Sequence, residues 1–180
     1  MSNTSFLKGK SIAILATDGV EEIELTAPKE ELEEYGARVH LISESPQIRA
    51  WKKREWSGDF DVDRLIENAN VNDYDALILP GGVINADRLR RNPKAIDFIK
   101  RFDKTGKLIA AICHGPQLLI EAGLVKGKNM TSHPAIATDM KNAGARHEDY
   151  GVLTDGNYIT ARGAEEISSF LKKIIGILKV

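Results

Sequence analysis

The only cysteine of the chain stands in the run Ala110-Ala111-Ile112-Cys113-His114-Gly115-Pro116, where an apolar segment gives way to a helical pattern. Residues 107–112 read as a short buried strand and residues 117–122 as helix, with Gly123 as its stop. Cys113 then sits at the elbow, beyond the carboxyl end of its strand, facing the unpaired N–H groups and positive dipole end of the next helix. Both features favour thiolate over thiol, which makes Cys113 a candidate nucleophile. Gly115 leaves room for a tight bend, and Pro116 has no N–H to lose in a first helical turn. A lone cysteine is most often a small buried hydrophobe. Here the histidine-glycine sequel and the strand-to-helix switch tip the reading toward a nucleophile elbow.

Other residues gather at the same place. Gly81-Gly82 closes a second apolar run, and the N–H of Gly82 or Val83, together with that of His114, would stabilise a developing oxyanion. No Lys-Ser/Thr pair follows these glycines, so they do not form a phosphate loop. Glu21, Glu22 and Glu24 open a helix, where the dipole favours acids, and that accounts for Glu21 and Glu22. Glu24 lies one step further round the turn and is expected to face Cys113. An ionised carboxylate there would raise the thiol pKa, so the useful form is a protonated Glu24 donating to the thiolate. Of the four histidines, His40 lies inside a strand and reads as structural, His133 follows a turn and reads as pocket lining, and His147 reads as a polar strand end. No His-x-x-x-His pair occurs and one cysteine cannot build a multi-cysteine cluster, so neither metal nor cofactor is expected.

These groups are positioned by alternating elements. Residues 11–16 form an apolar run closed by Thr17-Asp18-Gly19 and read as a strand buried on both faces. A helix follows over 23–35, with Pro28 tolerable only near its start and Gly36 as its end. Residues 38–42 read as the second strand and 75–79 as the third. A helix from Asn92-Pro93 to Lys104 comes next, then the elbow strand with its helix, a strand at 157–160 and a closing helix at 164–178. The stretch 46–60, which holds both tryptophans, Trp51 and Trp56, reads as a loop or a small antiparallel excursion. Alternating buried strands and helices imply an α/β domain whose mostly parallel sheet is covered on both faces, with ligands beyond the carboxyl ends of the strands. Residues 1–180 are read as a single domain.

With 180 residues, 42% hydrophobic and 28% charged, the composition is that of an ordinary globular protein. A net charge of −1 gives no basic field for nucleic acid or an anionic membrane, and no nucleic-acid or membrane partner is expected. Lys52-Lys53-Arg54 and the cluster from Arg88 to Arg91 read as solvated surface. Met1 to Phe6 lack an apolar signal core, no run approaches a membrane span, and one cysteine forms no internal disulfide, so a cytoplasmic protein is expected.

With its residues placed, the chain resembles the PfpI family of the class I glutamine amidotransferase-like superfamily. The resemblance rests on Asp18-Gly-Val-Glu-Glu-Ile-Glu-Leu25, Tyr74-Asp-Ala-Leu-Ile-Leu-Pro-Gly-Gly82, Ala111-Ile-Cys-His-Gly-Pro-Gln117, Thr131-Ser132 and Asn142-Ala-Gly-Ala145, in that order. It implies a flavodoxin-like three-layer sandwich, with Cys113 as nucleophile, His114 as its base and Glu24 as the carboxylate against the sulfur. It also implies a homodimer or higher homo-oligomer in which Asp87 reaches the histidine of a neighbouring subunit; a helix cap or surface acid is the other reading of Asp87. Two departures stand out. Thr160-Ala-Arg-Gly163 replaces the Thr-Ser-Arg-x-Pro of many relatives, and His133 stands where relatives carry a tyrosine or tryptophan.

The resemblance and the elbow together point to a cysteine enzyme for small reactive carbonyls or early glycation adducts, of the glyoxalase or deglycase kind. An intracellular cysteine peptidase and a non-enzymatic redox-sensing stress protein are the alternatives. Glutamine amide transfer ranks last, because it needs a His-x-Glu element and His147-Glu148-Asp149 supplies His-x-Asp.

Overall fold

Ser11–Leu15 forms β1, and Glu22–Glu34 forms α1. Arg38–Ser43 (β2) is followed by Gln47–Lys52 (β3), Glu55–Asp61 (β4) and the two-residue Arg64–Leu65 (β5). Ala76–Leu79 (β6), Val83–Arg90 (α2), Pro93–Asp103 (α3), Leu108–Ile112 (β7) and Pro116–Glu121 (α4) build the middle of the chain. Then come Asn129–Met130 (β8), Ala137–Asn142 (α5), Arg146–His147 (β9), Val152–Asp155 (β10), Tyr158–Ala161 (β11) and Ile167–Leu178 (α6). This computed structural model describes residues 5–179. Of the segment from Met1 to Phe6, the first four residues lie outside the described ones.

Seven strands form the central sheet in the order β10-β11-β7-β6-β1-β2-β5. Every pairing is parallel except β10 with β11. The apolar runs are continuous because both faces are covered. Along β1, Ala13 and Leu15 point into a core shared with α3 and α4, while Ile12 and Ile14 point into one shared with α1 and α6. The expected flavodoxin-like sandwich is therefore the observed architecture, and it brings the ends of β1, β6 and β7 side by side.

Local chemistry explains the elements that hold the site. Asn92 accepts from the N–H groups of Lys94 (3.0 Å) and Ala95 (3.4 Å), and with Pro93 in the first turn it starts α3. Ile96, Ile99 and Phe102 then recur at helical spacing and are buried. Helix α1 begins one residue earlier than its pattern predicts and runs straight across Pro28, which leaves the Glu24 carbonyl without its usual i+4 donor. The closing segment splits into a short 3-10 turn at Ala164–Glu166 and α6 proper.

The stretch 46–60 is ordered. It forms the hairpin β3–β4, with Trp51 opposite Trp56 and the two rings edge to face, 5.3 Å between centroids. Alternation in β3 buries Ile48 and Ala50. A parallel bridge between Glu21 and Trp51 and a 2.6 Å ion pair from Lys52 to Glu22 fasten the hairpin to the start of α1. Glu22 is thus a tie to the hairpin rather than only a dipole counter-charge. The edge strand β10, the short β8 and α5 are elements the sequence pattern does not single out, whereas β9 ends at His147 as its polar strand end suggests.

Candidate active site

The chain bends at Cys113 through φ 61°, a left-handed conformation rare for a residue with a side chain. Strain of this kind, about 1–3 kcal/mol, persists only where the surroundings enforce it. Here the Cys113 N–H donates to the Ala161 carbonyl (3.0 Å) and the His133 N–H donates to the Cys113 carbonyl (2.8 Å). The predicted elbow is real, and its side chain lines a cavity of about 630 Å³ together with Glu24, Gly82, Val83, His114 and His133.

Glu24 is 1% exposed, inside the first turn of α1. Its Oε2 accepts from the Gly81 N–H at 2.6 Å, and the carboxyl lies beside Cys113 in the cavity wall. Gly81 has no room for anything larger: a Cβ there would lie 2.6 Å from Glu24 Oε2, 2.7 Å from Cys113 Cβ and 2.9 Å from the His114 nitrogen. Gly82 adopts φ +94°, and its Cβ would sit 2.7 Å from the Glu21 nitrogen. The glycine pair is therefore demanded by close approach of three strand ends as well as by turn chemistry. Asn85, fully buried in α2, holds those ends together: its Oδ1 accepts from the Thr17 N–H (2.8 Å), and its Nδ2 donates to the carbonyls of Pro80 and Gly81 (3.1 Å each).

Burial works against the thiolate that the elbow favours. Burial pushes the Cys113 thiol up to about 12, and the neighbouring Glu24 charge adds to that, while the N–H groups of Gly82 and His114, both aimed at the sulfur, pull it down. Burial likewise pushes Glu24 up to about 8. The Glu21 charge adds to the rise at Glu24, whereas the Gly81 N–H and the Cys113 thiol work against it. The dipole of the six-residue α4 does not overcome desolvation.

His114 is 8% exposed, and its Nδ1 lies 3.3 Å from the sulfur. Burial, then the neighbouring His133, push it down to about 4, so the ring is neutral and able to accept a proton. The His133 ring stacks on it, 4.5 Å between centroids and 26° from parallel. His133 Nδ1 accepts from the Ala135 N–H (3.1 Å), which puts its own proton on Nε2. Behind it, Ser132 Oγ donates to the His133 carbonyl (3.0 Å) and meets His147 Nε2 at 2.9 Å. His40 Nδ1 meets the Tyr74 hydroxyl at 3.0 Å, far from the cavity, as a structural residue should.

Six of the seven site residues expected from the sequence meet at this cavity. Asp87 does not: it is exposed on α2 and is not part of the cavity wall. Sequence reasoning missed Trp51, Glu165 and Glu166 and gave Glu21 only a helix-dipole role, yet all four line it. The departing loop Thr160-Ala-Arg-Gly163 supplies one wall through Arg162 and Gly163. Arg162 bonds Asp149 (3.0 Å) and Glu166 (2.8 Å). Two tryptophans within a polar stretch were the available signal for Trp51, whereas nothing local marked Asn85. Among the described residues, no group of three or more His, Cys, Asp or Glu side chains is placed to hold a metal ion, and no helix is long and apolar enough to cross a membrane.

Comparison with known proteins adds to this geometry. A family model described as the DJ-1/PfpI family matches residues 10–176. A deglycase of Pyrococcus abyssi is 36% identical over 168 residues, covering 93% of this chain and 99% of its own. General stress protein 18 of Bacillus subtilis is 34% identical over 172 residues, covering 95% and 99% respectively. Among solved structures, a two-domain protein of Anabaena variabilis with DJ-1/ThiJ/PfpI-like and ferritin-like domains superposes with a TM-score of 0.89 at 36% identity. The match covers 94% of this chain and 48% of that one.

Proposed function

This chain belongs to the DJ-1/PfpI family, and on that premise we propose that it is a cysteine-dependent stress enzyme acting on small reactive carbonyls or early glycation adducts, of the glyoxalase or deglycase kind. One observation carries the reading: a thiol at a strained elbow, open to a cavity, with a buried carboxyl and an imidazole beside its sulfur.

With methylglyoxal as substrate, Cys113 Sγ adds to the aldehyde carbon as the thiol proton passes, by way of His114 or Glu24, to the carbonyl oxygen. The product is a hemithioacetal. Because burial disfavours both the free thiolate and the imidazolium, proton transfer accompanies C–S bond formation instead of preceding it. The proton on the attacked carbon then moves to the adjacent ketone carbon through an enediol, leaving a lactate thioester. Water cleaves it, releases lactate and restores the thiol, so the sum is methylglyoxal plus water giving lactic acid, with no redox partner. In a glycation adduct the C–N bond breaks and the amine departs with a proton. The amide of Gly82 or Val83, with that of His114, stabilises the developing oxyanion in this reading, and His133 offers Nε2–H to the substrate. Asp87, exposed on α2, serves a neighbouring copy of the chain in a homo-oligomer, where it orients His114.

Wild type and Cys113→Ser compared on methylglyoxal, following lactate, and on a fluorogenic peptide test this. Lactate formation at least about 1,000-fold lower in the variant is expected. Peptide cleavage without lactate would overturn the carbonyl reading in favour of a peptidase, and inactivity of the wild type on both would leave the redox-sensing alternative. For Asp87, sedimentation should give a species larger than one chain, and Asp87→Asn should lower kcat about tenfold without dissociating it; a fully active monomer rejects the intersubunit role.

A further inference from the structure

One carboxylate in the cavity wall has no part in the chemistry above. Glu21 is half-buried at the start of α1, makes no capping bond, and among the described residues its side chain has neither hydrogen bond nor ion pair. Beside it across the parallel bridge is Trp51, whose N–H donates to the Val20 carbonyl at 2.8 Å. The indole is held from behind by Trp56 and lines the same cavity as Cys113. The nearby hairpin cation, Lys52, is bonded to Glu22 instead.

The other acidic side chains in the wall carry the same sign as Glu21. Glu165 and Glu166 stand on the other side, and the single guanidinium, Arg162, is divided between Glu166 and Asp149. Glu24 aside, three carboxylates face one cation that Glu166 and Asp149 already hold. An unpaired carboxylate next to an aromatic ring suits a guanidinium or ammonium group, which gains from both. Phosphorylated or carboxylated carbonyl compounds meet repulsion in the same space.

We propose that Glu21 and Trp51 form a subsite for a cationic group, so that this cavity selects carbonyl adducts carrying a guanidinium or ammonium over neutral and anionic ones. The selection of adducts rests on the carbonyl reading above; the cation subsite itself does not.

Two measurements separate them. The first is kcat/KM for methylglyoxal adducts of N-acetylarginine amide and of N-acetylcysteine amide, one cationic and one neutral. Wild type should prefer the cationic adduct, and in Glu21→Gln and Trp51→Leu that preference should fall about tenfold, mainly through KM. The second needs no turnover: N-acetylarginine amide should slow alkylation of Cys113 by iodoacetamide more than N-acetylnorleucine amide does, with the difference lost in Glu21→Gln. Equal protection by the two amides, or a preference unchanged in Glu21→Gln, overturns the subsite. Selective protection in a protein that turns over no carbonyl leaves the subsite standing and removes the carbonyl reading.

Discussion

At the carboxyl edge of the sheet, groups are held in states they would not choose alone: a cysteine at φ 61°, a buried carboxyl pushed up to about 8 and a half-buried glutamate with no side-chain partner among the described residues. The amino edge of the same sheet shows the opposite. The Asp75 carboxylate accepts from the Ser11 N–H (2.8 Å), Lys107 Nζ donates to the Tyr74 carbonyl (2.6 Å), and the Tyr158 hydroxyl donates to Asp103. Lys128 sits over the Tyr158 ring, 4.7 Å from its centroid. Polar groups at the amino edge close the fold, and those at the carboxyl edge are kept available at a cost in stability. Parallel β-α connections make this division natural, because all the strands present their carboxyl ends, and the loops that follow, on one side.

The largest expected effect comes from crowding the carboxyl edge. Gly81→Ala drives a methyl group into Glu24, Cys113 and the His114 backbone at once. Such overpacking should lower stability by about 1–3 kcal/mol and turnover by at least about 100-fold. Urea unfolding and steady-state rates check it, and a variant with native activity would show the three strand ends to be less tightly joined than their geometry implies.

Relieving the edge should stabilise it. Because Glu24 is raised from 4.5 to about 8 in the folded chain, the folded state keeps a proton there that the unfolded chain releases. The cost is absent below pH 4.5, grows as pH rises and levels off above about 8. At pH 7 it amounts to roughly 3 kcal/mol, at about 1.4 kcal/mol per pH unit. Glu24→Gln should therefore be more stable than wild type at pH 7, with the gap closing toward pH 4.5. It should also lower the Cys113 pKa, because the carboxylate charge beside the thiol is gone. Denaturation at pH 5 and pH 8, and the pH profile of alkylation, measure both; a gap that fails to widen with pH contradicts the buried-acid account.

The smallest effect belongs to the amino edge. Tyr158→Phe removes the bond to Asp103 and should cost about 1 kcal/mol of stability. Turnover should be unchanged, since Tyr158 lies at the far end of β11 from the cavity. A loss of kcat/KM there would mean that the two edges are coupled through the sheet.

Much of the site was legible because its chemistry is local. Cys113, His114, Gly81 and Gly82 are read from runs in which a strand ends and a helix begins, and Glu24 from its offset in a helical turn. The hairpin β3–β4 was harder, since its polar alternation is weak and only Ile48 and Ala50 are buried in β3. Arg162 stood out only as part of a departing loop and Glu165 gave no local sign, because they matter only where the end of β11 comes beside β7. Asn85 is a similar case: one asparagine in a short helix bonds two loops, and that role exists only once β1 and β6 are neighbours.

What the sequence determined by itself was the order of buried strands and helices, and with it the layered α/β fold and the place of the elbow, because hydrophobic period and turn chemistry act over a few residues. The ionisation of Cys113 and Glu24 was decided only by tertiary structure. A favourable helix end is a local property, whereas desolvation is set by every element that closes over the sulfur, and here it acts against the preference that the elbow alone suggests.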